Sequence, residues 1–133
     1  MEGESTIVVG DLEAGVGTLL RMGDNGADLA IVVSQPTAKS MEVARRGLQI
    51  AAARSVPAVL VANRVTGPED LQLIHDTVAP QVPVFVVPDD PAVARADEEG
   101  SAPTDTAAGS PGVLAVEALA RSVAERLPDR PQG

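Results

Sequence analysis

Polar residues gather at a few points in this sequence, each where an apolar run stops. Asp11 and Glu13 follow STIVVG, Ser34-Gln35-Pro36 follow DLAIVV, Asn63-Arg64 follow PAVLVA, and Pro88-Asp89-Asp90 follow VPVFVV. The first of these points invites a test for phosphate chemistry. The stretch VVGDLEAGVGTLLRMG, residues 8–23, reads as strand, glycine turn and helix, with four residues between Gly10 and Gly15. That is the opening of a loop whose backbone N–H groups cradle phosphate oxygens and whose lysine neutralises them. The lysine position, however, holds Val16, and Gly17 stands where Ser or Thr should follow. The variant with two glycines before its lysine also fails, since Thr18 follows Gly17 directly. The only lysine of the chain, Lys39, has no glycine loop before it. The stretch therefore reads as a tight turn that uses glycine for positive φ. A dinucleotide-binding turn has different glycine spacing. A phosphoacceptor aspartate at Asp11 would need a second acid beside it and a strand-end lysine, and neither is present.

The elements that must position these residues are legible from their pattern. The runs at 5–11, 28–34, 57–65 and 82–88 are almost unbroken in apolar residues rather than alternating. Strands covered on both faces, as in a parallel sheet, read this way. Helical patterns lie between them. EAGVGTLLRM predicts a short helix ending near Gly23, and the next carries Met41, Ala44, Leu48, Ala51 and Ala52 at one-face spacing. Pro68 followed by Glu69 and Asp70 marks a helix start, with Leu71, Ile74 and Val78 inward. DPAVARADEEG predicts a short helix or turn, SAPTDTAAGSPG (101–112) a flexible loop, and PGVLAVEALARSVAERL an amphipathic helix that offers Leu114, Leu119, Val123 and Leu127 for packing. Strands alternating with helices imply right-handed crossovers and an open, mostly parallel α/β sheet of about four strands. Ligands of such sheets bind at the C-terminal strand ends, where the polar residues gather. Residues 1–127 read as a single domain and 128–133 as a disordered tail.

Composition narrows the functions. The chain has 133 residues, enough for one domain with its own core. That core must be aliphatic, because Phe85 is the only aromatic residue. A net charge of −9 argues against nucleic acid and acidic membrane surfaces as partners. With no cysteine and a single histidine, His75, disulfides and thiolate or His-rich metal sites are excluded. No signal peptide or membrane-length apolar run is evident, so a cytoplasmic location is expected. Lys39 and His75 read as surface residues on helices, and Asp97-Glu98-Glu99 as a solvated acidic face.

Taken in order, these segments resemble the second half of a MinD/ParA-type deviant P-loop ATPase, in particular the branch of carbon monoxide dehydrogenase nickel-insertion accessory ATPases. VVGDLEAG is similar to that branch's switch strand and turn, and ADLAIVVSQPTAKSMEVARRGLQIAAARSV to its next strand, turn and helix. VLVANRV resembles its strand ending in Asn and a basic residue, and VFVVPDDPAVARADEEGSAP its Pro-x-Asp segment. The family's opening half, with its phosphate lysines and metal-binding cysteines, has no counterpart here. Gly17-Thr18 also replaces the Glu-His that commonly continues the switch turn.

The resemblance implies roles residue by residue. Asp11 matches the switch aspartate that reaches Mg2+ through water, a role that suits a carboxylate at a strand end, and Gly15 matches the glycine that senses the γ-phosphate. Asn63 matches the asparagine that reads the adenine edge, and an amide can both donate and accept there. Pro88 and Asp90 match the segment beside the base. Arg64 covers the base or sits in solvent, and Glu13 is a pocket acid or a favourable charge at a helix start. Each has an ordinary alternative: Asp11, Asn63, Pro88 and Asp90 also suit turns and caps. The implied ligand is ATP or ADP with Mg2+, and the implied partner is a protein or a second copy. Three functions follow. The chain is a non-hydrolysing nucleotide- or partner-binding module related to metallocentre-assembly ATPases, or half of a split ATPase completed by a second polypeptide, or a plain α/β scaffold. Without a phosphate-loop lysine, the isolated chain is expected to have no ATPase activity of its own.

Overall fold

A computed structural model describes residues 28–126. The predicted strand at 5–11, the helix after it, Leu127 and the tail at 128–133 lie outside the described residues. Within them the chain runs β1 (Ala30–Ser34), α1 (Ala38–Ala53), β2 (Ala58–Val65), α2 (Pro68–Val78), β3 (Val84–Pro88), α3 (Pro91–Glu98), α4 (Pro103–Thr106) and α5 (Pro111–Arg126). The described strands form a parallel sheet in the order β1-β2-β3. The α/β class and the open parallel sheet are as the sequence predicts, with three of the expected strands inside the described residues.

Both crossovers advance across the sheet in one direction, so right-handed connections put α1 and α2 on the same face. The core lies there. Met41 and Ala44 of α1 and Ile74 and Val78 of α2 pack on Leu60, Ala62 and Val65 of β2, with Val32 and Val84 from the flanking strands. A smaller cluster under the far end of α1 joins Ala51 and Val56 to Ala30, Ile50 and Ala58. Strand alternation turns Ile31, Val33, Val59, Val61, Phe85 and Val87 to the other face. There α5 packs on β3, and the Arg126 guanidinium lies 5.6 Å from the centre of the Phe85 ring.

Local chemistry sets the helix starts. The Thr37 hydroxyl caps α1 by accepting from the Ser40 N–H at 3.3 Å. Pro68, Pro91, Pro103 and Pro111 each open a helix, where a missing N–H costs nothing. Three expectations need correction. The 101–112 segment is not all loop, because α4 forms one turn within it. Ala52 is exposed, because the inward stripe of α1 runs through Met41, Ala44, Gly47 and Ala51. Leu114 is also exposed, because Val113 takes the inward position at that end of α5, while Leu119 and Val123 are half-buried. Lys39 and His75 are exposed on their helices, and Asp97, Glu98 and Glu99 are all exposed.

Candidate functional site: the C-terminal strand ends

The C-terminal ends of β1, β2 and β3 are joined to the helices by polar loops. Ser34, the last residue of β1, is fully buried, and its hydroxyl donates to the Gln35 carbonyl at 3.0 Å. The Gln35 N–H donates to the Ser40 hydroxyl at 2.9 Å, tying this loop to the first turn of α1.

At the end of β2 the ladder breaks. Asn63 stands opposite Val87, but Val65 rather than Arg64 stands opposite Pro88. Arg64 is the extra residue of a β-bulge, with φ of 59°. The bulge changes the parity of the strand, since side chains otherwise alternate between faces. Val65 therefore joins Ala62 in the core, and Arg64 is turned outward. Its Nε donates to the Asp89 carboxylate at 3.2 Å, with the two side chains 62% and 41% exposed. An exposed pair of this kind contributes little stability but fixes where the guanidinium rests. Just beyond, the Thr66 N–H and hydroxyl both donate to Asp70, at 2.9 and 2.6 Å. Those bonds, the hydroxyl's first, hold the Asp70 carboxyl below its ordinary range.

At the end of β3 the Asp89 N–H donates to the Val65 carbonyl at 2.9 Å, closing the sheet beyond the bulge. Asp90 follows as the cap of α3, with one carboxylate oxygen accepting from the Ala92 N–H at 2.9 Å. Its other oxygen accepts from the Gly112 N–H in the first turn of α5, at 2.8 Å. The Gly112 N–H is the main reason the Asp90 carboxyl lies below its ordinary range. The Ser110 hydroxyl, the Ala92 N–H and the Arg95 charge act in the same direction, and partial burial opposes them. The Ser110 hydroxyl oxygen is buried without a hydrogen bond of good geometry, so its help is electrostatic and Gly112 is the structural partner.

The sheet thus brings Asn63, Arg64, Pro88 and Asp90 to one end of two neighbouring strands. Asn63 and Pro88 are half-buried there, and Arg64 is exposed. Asp11, Glu13 and Gly15 lie outside the described residues. Among the described residues no cluster of three or more acidic or histidine side chains could hold a metal ion. Sequence reasoning passed over Asp89 as a site residue and Gly112 altogether. The only local sign of Gly112 is the Ser-Pro-Gly that opens the last helix. An open depression of about 410 Å3 lies at the opposite end of the strands, lined by Leu29, Pro57, Val59, Val82 and Arg126 among others, away from this polar cluster.

No protein-family model matches the chain, and no curated protein sequence matches it. A solved structure does: the MinD cell division protein of Aquifex aeolicus superposes with a TM-score of 0.59 at 18% identity. The fold is MinD-like. The match covers 75% of this chain and 45% of the MinD chain, so the chain spans less than half the length of the structure it resembles. At that identity the likeness concerns the course of the backbone. In this MinD-like fold the polar residues described above stand at the end of the sheet where open parallel sheets take their ligands. No described helix is long and apolar enough to cross a membrane.

Proposed function

We propose that the chain is a nucleotide- or partner-binding module of the MinD/ParA kind that does not hydrolyse nucleotide on its own. In the finer reading it is related to the ATPases that assemble metallocentres, with a metalloenzyme or a complete ATPase as its protein partner. The observation that carries this is the convergence of Asn63, Arg64 and Pro88 at the strand ends of a MinD-like sheet. A half-buried amide suits the edge of a purine, and the exposed Arg64 next to it in the chain would swing from Asp89 to cover the base. Asp90, with both carboxylate oxygens taken by backbone N–H groups, is not among the contact residues of this reading. Asp11, Glu13 and Gly15 would serve Mg2+ and the phosphates. When bound, Mg2+ would supply positive charge that neutralises the phosphates.

Titration of the purified chain with a fluorescent ADP analogue in the presence of Mg2+ tests the reading. Saturable binding tighter than about 1 mM is expected, weakened about tenfold in Asn63→Ala, where an amide–base contact is lost. Absence of saturation in the millimolar range removes the nucleotide from the proposal. ATPase activity that persists after rigorous repurification removes the non-hydrolysing part.

A second reading has its own support. Because the chain spans 45% of the MinD structure it matches, a second polypeptide could supply the rest of an ATPase. Co-purification of such a chain, with turnover appearing only on mixing, would favour the split enzyme over the binding module. The plain scaffold reading stands if neither nucleotide nor partner binds.

A further inference from the structure

We propose that Asp90 is a positioning residue, a single-side-chain latch that seats α5 on the sheet, rather than a group that contacts ligand. This goes beyond the nucleotide reading and does not depend on it.

Both Asp90 oxygens are engaged by backbone donors on different elements, Ala92 of α3 and Gly112 of α5, the latter 22 residues away. The fit around the second bond is close. A Cβ on Gly112 would stand 2.9 Å from Asp90 Cβ, 3.0 Å from its carboxylate oxygen and 3.3 Å from a Val93 methyl. Glycine is therefore required here by space. At this end of α5 the buried side chain is Val113, and Leu119 and Val123 are half-buried further along the helix. The buried residues of α5 are Gly112 and Val113, whereas Leu114 and Val116 are 52% and 50% exposed. The start of α5, where Leu114 and Val116 are exposed, therefore depends on its polar tether. The tether is anchored two residues beyond Pro88, so displacement of that strand-end segment is transmitted to the start of α5. Release would lift the first turns of α5 from β3 and leave the core beneath α1 and α2 intact, as local opening of a weakly held element.

The test separates the two jobs of the carboxylate by amide hydrogen exchange on the full chain. Asp90→Ser keeps a good helix cap, because a serine hydroxyl reaches the N–H two residues on, but it is too short to reach Gly112. The expected result is exchange at Gly112 and the next turn of α5 faster by about tenfold, with α3 amides within about twofold of wild type. Gly112→Ala attacks the same contact from the other side and should likewise speed exchange in the first turn of α5, with an added effect on α3 where the new methyl meets Val93. Unchanged protection of Gly112 in Asp90→Ser overturns the latch. So does equal loosening of α3 in Asp90→Ser, which would make Asp90 a cap alone. Nucleotide titration of Asp90→Ser is a separate readout. Affinity within about threefold of wild type fits positioning, and a loss on the scale of Asn63→Ala assigns Asp90 to ligand contact instead.

Discussion

The two faces of the sheet are held by different physics. Under α1 and α2, a continuous aliphatic cluster includes Leu60 and Ile74, both with no exposed surface. On the other face Val59, Val61 and Val87 are buried too, and α5 adds buried Val113, half-buried Leu119 and Val123, and the Asp90–Gly112 hydrogen bond. The first face resists change because every removed methyl leaves a void that packed neighbours cannot fill. On the second face the start of α5 adds one polar contact that, once broken, would leave the first face untouched. The strand-end residues lie between these two differently built faces.

The largest test of this contrast is a pair of core truncations. Leu60→Ala should destabilise the chain by about 3 kcal/mol, the cost of lost burial plus a cavity. Val113→Ala should cost only about 1.5 kcal/mol, from two buried methyl groups. Urea unfolding of both variants measures the difference, and equal losses would erase the distinction between the faces.

Acid provides a smaller test. The Asp90 and Asp70 carboxyls both sit below their ordinary value of 3.8. Carboxyls depressed in the folded state contribute stability that is complete above the unfolded value and is lost as pH falls through the folded one. The urea midpoint should therefore hold from neutral pH down to about 5 and then decline. Asp90→Asn should show a shallower decline than wild type below about pH 4, since one of the depressed groups is gone. Identical slopes in the two proteins would mean that the Gly112 N–H does not support the ionised carboxylate in solution.

The smallest expected effect is at the boundary. Arg64 has φ of 59°, a conformation that glycine adopts without steric cost. Arg64→Gly should leave stability within about 1 kcal/mol of wild type, because relief of strain offsets loss of an exposed ion pair. If Arg64 covers a bound base, the same change should weaken nucleotide binding several-fold. A marked loss of stability instead would make the bulge arginine structural and place it with the core face.

Much of the architecture could be read before any fold was known. Unbroken Val/Ile/Leu runs announced parallel strands, although among the described residues only β2 is buried on both faces while Ile31, Val33 and Val86 are exposed, and Pro68-Glu69-Asp70 announced a helix. The polar strand ends were visible as a group because each directly follows its apolar run. The corrections concern smaller signals. The Pro103–Thr106 turn sits in a segment whose Ser, Pro, Thr and Gly content argues for loop. The inward side of α5 depends on which of two adjacent apolar residues, Val113 or Leu114, meets the sheet, and the composition of the helix does not decide that.

By itself the sequence determined the class of fold, the order of its elements, the aliphatic character of the core and the absence of thiol chemistry, because each depends on composition or on residues a few positions apart. Tertiary structure decided the relations that span long stretches of chain. Arg64 meets Asp89 across 25 residues and Asp90 meets Gly112 across 22, and neither pairing has a local signature. The bulge at Arg64 is of the same kind. One extra residue reverses the parity of β2, so Val65 goes inward and Arg64 outward, and that choice is made by the ladder with β3 rather than by the strand alone.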